Sequence, residues 1–442
     1  MKILLADLVL AGEELSPVDH GAVVMEDGLV TWVGREADLA SEFVETAPEV
    51  ERLGDVTVLP GLIDAHVHLG FDGGPEPVAR MMAESDPQQT ALMLRSAREL
   101  LSVGVTTARD LGARGYLDVV VRDAIADGTA LGPRLVTAGA PLTTTGGHCW
   151  FMGAECDSED EVRRMVRQHH KRGVDAIKVM ATGGNMTAGS APWHAQFTLA
   201  QLCAIVDEAH RLGKRVAAHC HGIEGIERAL DAGVDTLEHC SFQRADGAPR
   251  VDPELADRVA ASQAWVSPTC NLRLPEIRAS MPDHDFAVGE LYRRGARMIA
   301  STDAGINHTP HHGYVGGLEA MAGFEIPTFE VLLAATSQAA EALDLGDVTG
   351  RLAPGYTADL VAVGGDPRAD LAVLHDLRLV MARGVRFTPD PLPAIEPFPL
   401  DELPAFLKAA PGTPEADVPE GPIEVEAAVA RPEEHPHDQH RR

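Results

Sequence analysis

Two histidines one residue apart, His66 and His68, are the side chains of this sequence best placed to bind a metal ion. They follow a short apolar run that starts at Leu62 and has the character of a β-strand. Because alternate residues of a strand point to the same side, both imidazoles can reach one ion. A His-x-His pair also occurs by chance on a polar strand edge, so this interpretation depends on what the rest of the chain supplies.

Further candidate ligands lie in or directly after other apolar runs with strand character. They are Lys178, His219, His239 and Asp303. Taken singly, the histidines could be core side chains with satisfied hydrogen bonds, and the aspartate could cap a helix. Lys178 differs, because an unpaired lysine in an apolar strand is costly to bury. It calls for a salt bridge or for reaction with CO2, which would make it a carbamate able to bridge two metal ions.

The elements that position these residues alternate regularly. Between His66 and about Leu345, apolar strand-like runs alternate with helical patterns, which predicts parallel βα units. The number of units favours a closed (β/α)8 TIM-like barrel at 59–349, and the predicted fold class is α/β. Active sites of such barrels form at the carboxyl ends of the strands, where the candidate ligands lie.

The two ends of the chain have a different pattern. Residues 1–58 contain short strands with Asp27-Gly28 as a hairpin turn, and strand patterns resume after residue 350. We therefore expect one small β-sandwich domain made of 1–58 and 350–400. Residues 401–442 hold ten acids, four bases and seven prolines, a composition typical of disorder. Three histidines of this acidic tail are interpreted as solvated: His435, His437 and His440.

The composition of the chain limits the classes of molecule that it could bind. The 442 residues carry a formal net charge of −30, with a pI near 4.9. Such a surface repels phosphate polymers, which argues against nucleic acid and anionic membranes. No apolar run approaches the ~18 residues of a membrane span, and Asp7 interrupts the apolar start, so we expect a cytoplasmic protein. Six scattered cysteines, without a Cys-x-x-Cys pair, are expected to be reduced thiols. They are Cys149, Cys156, Cys203, Cys220, Cys240 and Cys270.

The chain resembles the metal-dependent amidohydrolases, in particular the branch of imidazolonepropionase-like proteins and bacterial prolidases. The segments that carry the resemblance are 59–68 (Leu-Pro-Gly-Leu-Ile-Asp-Ala-His-Val-His), 104–110, Gly146-Gly147-His148, 177–184, 218–222, Glu238-His239, Thr302-Asp303 and 350–361. It extends from Met1 to about Phe387 and leaves out the acidic tail. These motifs are specific for the superfamily and say much less about the substrate.

The resemblance implies two divalent metal ions, zinc with manganese or cobalt as substitutes. The ligands it implies are His66, His68 and Asp303 for the first ion, His219 and His239 for the second, and a carbamate on Lys178 between them. A hydroxide bridging the ions would attack the substrate carbonyl. Asp303 would take its proton and pass it to the leaving nitrogen.

Two further histidines are candidates for catalysis. His221 follows His219 by two residues, so on a strand end it faces the same side and could polarise the substrate carbonyl. Prolidase-like relatives often carry a tyrosine there. His148 resembles a family position that contacts the substrate, and a solvated loop histidine is the alternative.

The favoured reaction is hydrolysis of a C–N amide bond in a small molecule, either a dipeptide such as Xaa-Pro or an N-acyl amino acid. A carbamate, a urea, a xenobiotic amide or a cyclic amide is the alternative substrate. A mononuclear deaminase fits less well, because such relatives lack the strand lysine that Lys178 supplies. A non-catalytic scaffold would have broken motifs, whereas all six ligand positions hold competent residue types. The family also implies a homo-oligomer, although no interface is marked in the sequence.

Overall fold

The computed structural model describes residues 1–40, 43, 49–245, 250–282 and 284–400. Its strands are β1 Lys2–Ala11, β2 Ser16–Glu26, β3 Leu29–Arg35, β4 Glu49–Pro60, β5 Leu62–Val67, β6 Val105–Asp110, β7 Arg134–Thr137, β8 Ala176–Met180, β9 Arg215–Gly222, β10 Thr236–Gln243, β11 Trp265–Ser267, β12 Arg297–Met298, β13 Leu360–Val363, β14 Leu377–Ala382 and β15 Val385–Phe387. Its α-helices are α1 Pro77–Ala83, α2 Asp86–Ser102, α3 Leu117–Ala126, α4 Glu159–Arg172, α5 Leu199–Arg211, α6 Ile223–Ala232, α7 Pro253–Ala261, α8 Leu274–Ser280, α9 Ala287–Arg293, α10 Tyr314–Ala322, α11 Thr328–Ala334 and α12 Ser337–Ala342.

The middle of the chain forms two parallel sheets, one of β5, β6 and β7 and one of β8 to β12 in sequence order. Backbone hydrogen bonds link the sheets on both sides. The amide of Leu142 donates to the carbonyl of Lys178 at 2.9 Å, and the amide of Asp303 donates to the carbonyl of His66 at 2.8 Å. Strands alternate with helices throughout, which confirms the predicted α/β class. Closure into one eight-stranded barrel stays a prediction.

Local sequence explains where the helices begin and end, as α4 shows. Ser158 and Glu161 form a capping box at its start, and Gly173 ends it in the left-handed conformation. Its first turn is acidic and its last turn basic, in keeping with the helix dipole. Val162 and Val166, four residues apart, turn the same face into the core. The helix therefore buries one apolar face in the core and keeps a charged outer surface.

Both chain ends join one mixed sheet, in the order β15-β14-β13-β4-β1-β2-β3. Asp27 and Gly28 both have positive φ, 51° and 79°, as the tight hairpin between β2 and β3 requires. Within the described residues these strands form a single sheet, so the association of the two chain ends is observed but the sandwich is not confirmed.

A buried aspartate connects this sheet to the parallel strands. Asp359 accepts hydrogen bonds from the amide of Arg383 at 2.6 Å and from the hydroxyl of Thr349 at 2.9 Å. Arg134, the first residue of β7, lies 3.5 Å from its second oxygen. Asp359 therefore ties the end sheet to the region that carries the candidate ligands.

Three elements differ in detail from the sequence expectation. Lys178 is the middle residue of β8 instead of its end, and β12 stops five residues before Asp303. Only Gly61 separates β4 from β5. The acidic tail and its histidines lie outside the described residues. Across the part that is described, no helix has the length and apolar character needed to cross a membrane.

Candidate metal centre and active site

His66, His68 and Asp303 converge at the end of β5. The Nε2 atoms of the two histidines lie 3.3 Å apart, and Asp303 Oδ1 lies 3.3 Å from the first and 3.2 Å from the second. Strand alternation brings the imidazoles to one side, and the backbone bond from Asp303 to His66 brings the carboxylate to them. The structure thus brings together the three residues expected to hold the first ion.

Electrostatics favours a cation among these atoms. Asp303 Oδ1 and His68 Nδ1 are buried and make no hydrogen bond within the described residues. Buried polar atoms are ordinarily satisfied, so such orphans call for a missing partner. Imidazole nitrogens and a carboxylate oxygen are the donors that zinc and similar ions take. The residues present therefore fit a divalent metal ion.

A second group consists of three imidazoles, from His219, His221 and His239. One ligand atom of each lies within 4.8 Å of the others, and His239 forms a similar group with His66 and Asp303. The two groups share His239 and are therefore adjacent. His219 and His239, the residues expected to hold a second ion, are thus close together, and the structure adds His221 to them.

Each imidazole of this second group is anchored through one nitrogen. His219 Nε2 lies 2.9 Å from the carbonyl oxygen of Gly183, His239 Nδ1 lies 2.9 Å from Thr269 Oγ1, and His221 Nδ1 lies 2.8 Å from Ser241 Oγ. Such contacts orient a ring and leave its other nitrogen for a ligand or substrate.

Lys178 is buried beside both groups. Its Nζ lies 3.5 Å from His66 Nε2, and burial lowers the pKa of its amine. The neutral amine is the form that can react with CO2. The geometry therefore places Lys178 where a bridging carbamate is expected, at a buried position that disfavours a plain ammonium group.

Two residues of this region were missed as functional in the sequence. Glu238 Oε2 lies 2.8 Å from His66 Nδ1, and its other oxygen accepts a hydrogen bond from buried Arg109 at 2.8 Å. Arg109 also donates to the carbonyl of Ala65 at 2.7 Å. Together they fix the ring of His66 from behind. Their signal was available, because both are charged residues in apolar strands, the same anomaly that singled out Lys178.

Backbone strain marks two candidate ligands. His239 and Asp303 have φ values of 66° and 59°, in the left-handed region that residues other than glycine seldom adopt. Strain of this kind persists where surrounding structure enforces it, and it concentrates at functional sites.

His148 is not a solvated loop residue. It is buried, its ring centroid lies 4.7 Å from that of His219, and its Nδ1 lies 3.1 Å from Thr187 Oγ1. A Cβ on Gly184 would lie 2.4 Å from His148 Nε2, so only glycine leaves room for the ring. The loop carrying Gly183 and Gly184 thus holds His148 against the second group.

Burial keeps the imidazoles of His66, His221 and His148 neutral at neutral pH. It lowers the pKa of His66 and of His221 to about 4, and that of His148 to about 3. Burial by itself would raise the pKa of Asp303, but the imidazoles of His66 and His68 bring it below its usual value. Neutral imidazoles and an ionised carboxylate are the forms that bind metals.

These residues form the floor of one cavity of about 300 Å³. The metal-ligand candidates, His148 and His221 all line it, and its outer wall is largely apolar. A small molecule that enters the cavity therefore meets the imidazoles and the carboxylate at its inner end.

The fold and the site agree with a known protein class. The sequence profile of the amidohydrolase family matches residues 57–386, so the chain belongs to the amidohydrolase family and the resemblance is confirmed.

Three relatives place the chain more closely within the family. Ochratoxinase from Aspergillus niger is 30% identical over 426 residues, covering 86% of this chain and 84% of that protein. Its crystal structure has a TM-score of 0.76 at 28% identity, over 87% and 95% of the chains. A Xaa-Pro dipeptidase with methionine bound in its active site has a TM-score of 0.77 at 27% identity, over 87% and 99%. A prolidase bound to N-methylphosphonate-L-proline has a TM-score of 0.75 at 26% identity, over 87% and 99%.

The chain is therefore a hydrolase that acts on C–N amide bonds in small molecules. The scaffold alternative is left without support.

Proposed function

We propose that this enzyme cleaves the amide bond of a dipeptide of the Xaa-Pro type or of an N-acyl amino acid, using two divalent metal ions. The observation that carries the proposal is the close approach of His66 Nε2, His68 Nε2 and Asp303 Oδ1, all within 3.3 Å, beside the imidazole group at His239.

This geometry supports the ligand assignments that the resemblance implies. His66, His68 and Asp303 would hold one ion, and His219 and His239 the other. A carbamate on Lys178 would bridge the two, supported by the burial of its amine near His66. Zinc is the expected metal, with manganese or cobalt as substitutes, because nitrogen and oxygen donors predominate. When bound, such ions lower the pKa of a water molecule and polarise a carbonyl.

The chain's own residues orient the substrate and move a proton from the attacking water to the leaving nitrogen. Asp303 takes the proton that the water releases and passes it to that nitrogen. His221, anchored by Ser241, holds the substrate carbonyl through its other nitrogen. His148 lines the cavity beside His219 and contacts the group flanking the amide. These roles make Asp303, His221 and His148 the catalytic residues of the proposal.

The relatives favour these substrates. Two similar structures are those of a Xaa-Pro dipeptidase and a prolidase, and a third relative is an ochratoxinase. Carbamates, ureas, xenobiotic amides and cyclic amides remain the alternative set to be assayed beside the dipeptides.

We also propose that β5 to β12 close into a (β/α)8 barrel at 59–349, beside a small domain made of 1–58 and 350–400. The backbone bonds from Leu142 to Lys178 and from Asp303 to His66 support closure, since they join both sides of the two parallel sheets.

The decisive test measures metal content per chain by elemental analysis and amide hydrolysis on the same preparation. The panel contains Xaa-Pro dipeptides, N-acyl amino acids, carbamates, ureas and cyclic amides. We expect about two metal ions per chain and turnover of the first two classes. One ion with turnover of cyclic amides alone would contradict the proposal.

A further inference from the structure

The outer wall of the cavity is built from one helix face and the segment that follows it. Leu274 and Ile277 of α8 and Met281, its C-terminal neighbour, are spaced three and four residues apart, so they share one face. All three line the cavity above the candidate metal ligands. Leu274 and Ile277 are only half-buried, so the described residues leave part of this apolar face open to the cavity.

Phe286 completes this apolar wall and is supported from behind. Its ring lies 4.4 Å from that of His284 and 5.9 Å from that of Phe324. Arg278 stacks on the ring of Phe324, with its guanidinium carbon 4.1 Å from the ring centroid. Because these contacts fix Phe286, the wall is formed before any substrate arrives, which reduces the entropy cost of binding.

Apolar side chains from other loops face the same cavity. Phe71 follows β5, Met186 follows β8 and Ile306 follows the short β12. The cavity therefore has a polar floor, where the imidazoles and carboxylate meet, and apolar sides contributed by separate loops.

Charge restricts the occupant further. Among the described residues lining the cavity, Lys178 is the sole lysine or arginine, and it lies on the floor. Asp285 also lines the cavity and is exposed to solvent, and its charge would repel an anion bound near it. A carboxylate at the outer end of a substrate would thus lose its hydration without gaining a cation.

We propose that one of the two groups flanking the scissile amide is large, apolar and uncharged, and that it binds against Leu274, Ile277, Met281 and Phe286. This inference rests on the proposed function, because it assumes that the amide lies on the floor of the cavity. The inference excludes short dipeptides and amides with a second carboxylate as preferred substrates. The family assignment alone does not exclude them.

The test uses matched amides on the metal-loaded enzyme. The first series consists of N-acylprolines whose acyl group is short (acetyl), apolar (hexanoyl) or acidic (adipoyl with a free carboxylate). The second series consists of N-acetyl amino acids whose side chain is short (glycine), apolar (leucine) or acidic (glutamate). In at least one series, we expect kcat/KM to rise ~10-fold or more from the short to the apolar group, since each buried methylene contributes to discrimination. The acidic member of that series, which is of similar length to the apolar member, should have a kcat/KM close to that of the short member. Flat series would overturn the inference while leaving amide hydrolysis intact.

Ile277→Asp places a carboxylate on the wall, and Ala279→Asp makes the same change at an exposed position of α8. We expect Ile277→Asp to abolish the preference for the apolar group. Ala279→Asp should keep the preference. Equal behaviour of the two variants would contradict the assigned wall.

A binding measurement decides the inference even if no amide in the panel is hydrolysed, an outcome that would overturn the proposed function alone. Calorimetric titration with acetate, hexanoate and adipate compares the same groups without chemistry. Hexanoate binding ~10-fold more tightly than the other two, and losing that advantage in Ile277→Asp, supports the apolar wall. Equal affinities overturn it.

Discussion

Lys178 tests how many metal ions the centre holds. Replacement by alanine removes the group proposed to bridge the two metal sites, so we expect metal content to fall from about two ions per chain to one or fewer. Amide turnover should fall by at least ~10- to 100-fold, the loss that even outer contacts to a metal site can cause. Elemental analysis and initial rates measure both effects. Lys171→Ala, at an exposed position of α4, is the control, and unchanged metal content in Lys178→Ala would indicate a one-metal enzyme.

Thr269 anchors His239 without being a ligand. Thr269→Ala removes the hydroxyl 2.9 Å from His239 Nδ1, so the ring can rotate away from its position. We expect metal affinity to drop ~10- to 100-fold, measured by competition with a chelator. Thr269→Ser keeps the hydroxyl and should retain the affinity. If alanine and serine behave alike, Thr269 does not orient His239.

Asp118 gives a pH dependence that is separate from the metal ligands. Burial raises its pKa from 3.8 to about 6, and its Oδ1 has no hydrogen-bond partner within the described residues. The folded state therefore holds a proton that the unfolded chain releases, and stability falls as pH rises from about 4 to about 6. Asp118→Asn keeps an acceptor for the amide of Gly139 and cannot ionise.

As pH rises across that range, the unfolding free energy of the parent should fall relative to that of Asp118→Asn. We expect the relative change to be on the order of 2 kcal/mol. Denaturant unfolding at several pH values measures it, and titrating groups that do not interact with Asp118 cancel in the difference. Asp123→Asn, at an exposed position of α3, should show little change. A pH-independent difference would mean that the carboxyl of Asp118 titrates normally.

Among the elements, α4 offers a prediction about stability alone. Ser158 accepts a hydrogen bond from the amide of Glu161, and its capping box lies on the outer surface. Ser158→Ala should lower the free energy of unfolding by about 1 kcal/mol. Metal content and kcat/KM should be unchanged. Ser158→Asp, which retains a capping oxygen, should recover most of the loss in the same unfolding experiment.

How far the sequence could anticipate the elements depended on their local patterns. The β2–β3 hairpin at Asp27-Gly28 and the strand that presents His66 and His68 were predictable, because turn chemistry and alternation are local signals. The true extent of β12 was not, since the apolar run leading to Asp303 reads as strand, whereas β12 ends at Met298 and only single backbone bonds join Ala300 and Asp303 to β5.

The site was predictable to a similar degree. All six expected ligands lie near one another. They could be found in the sequence because each is a polar residue at an unusual place in or after an apolar run. Glu238 and Arg109 stand out as charged residues in apolar strands, but their ion pair joins β6 to β10, so no spacing in the sequence shows that they support His66. The apolar wall of α8 could not be predicted from the sequence, because only the folded cavity shows that this helix face lines the site.

At the scale of the whole molecule, Asp359 should couple the end sheet to the parallel strands. Asp359→Ala leaves the amide of Arg383 and the hydroxyl of Thr349 without their buried acceptor. We expect the unfolding free energy to fall by about 1–3 kcal/mol. The exposed substitution Asp347→Ala serves as control in the same denaturant titration. A change no larger than that of the control would mean that other contacts carry the coupling.

The sheet made from both chain ends also sets an order of events during synthesis. Thr57 donates its hydroxyl to the carbonyl of Gly365, 308 residues further along the chain, and β4 pairs with β13 over the same interval. At ~5–20 residues per second a ribosome needs roughly 15–60 seconds to deliver the missing strand. During that time one edge of β4 waits unpaired, the kind of edge that chaperones cover and that other nascent chains can join. The metal-bearing region is translated within this interval, so it can fold before the sheet beside it is complete.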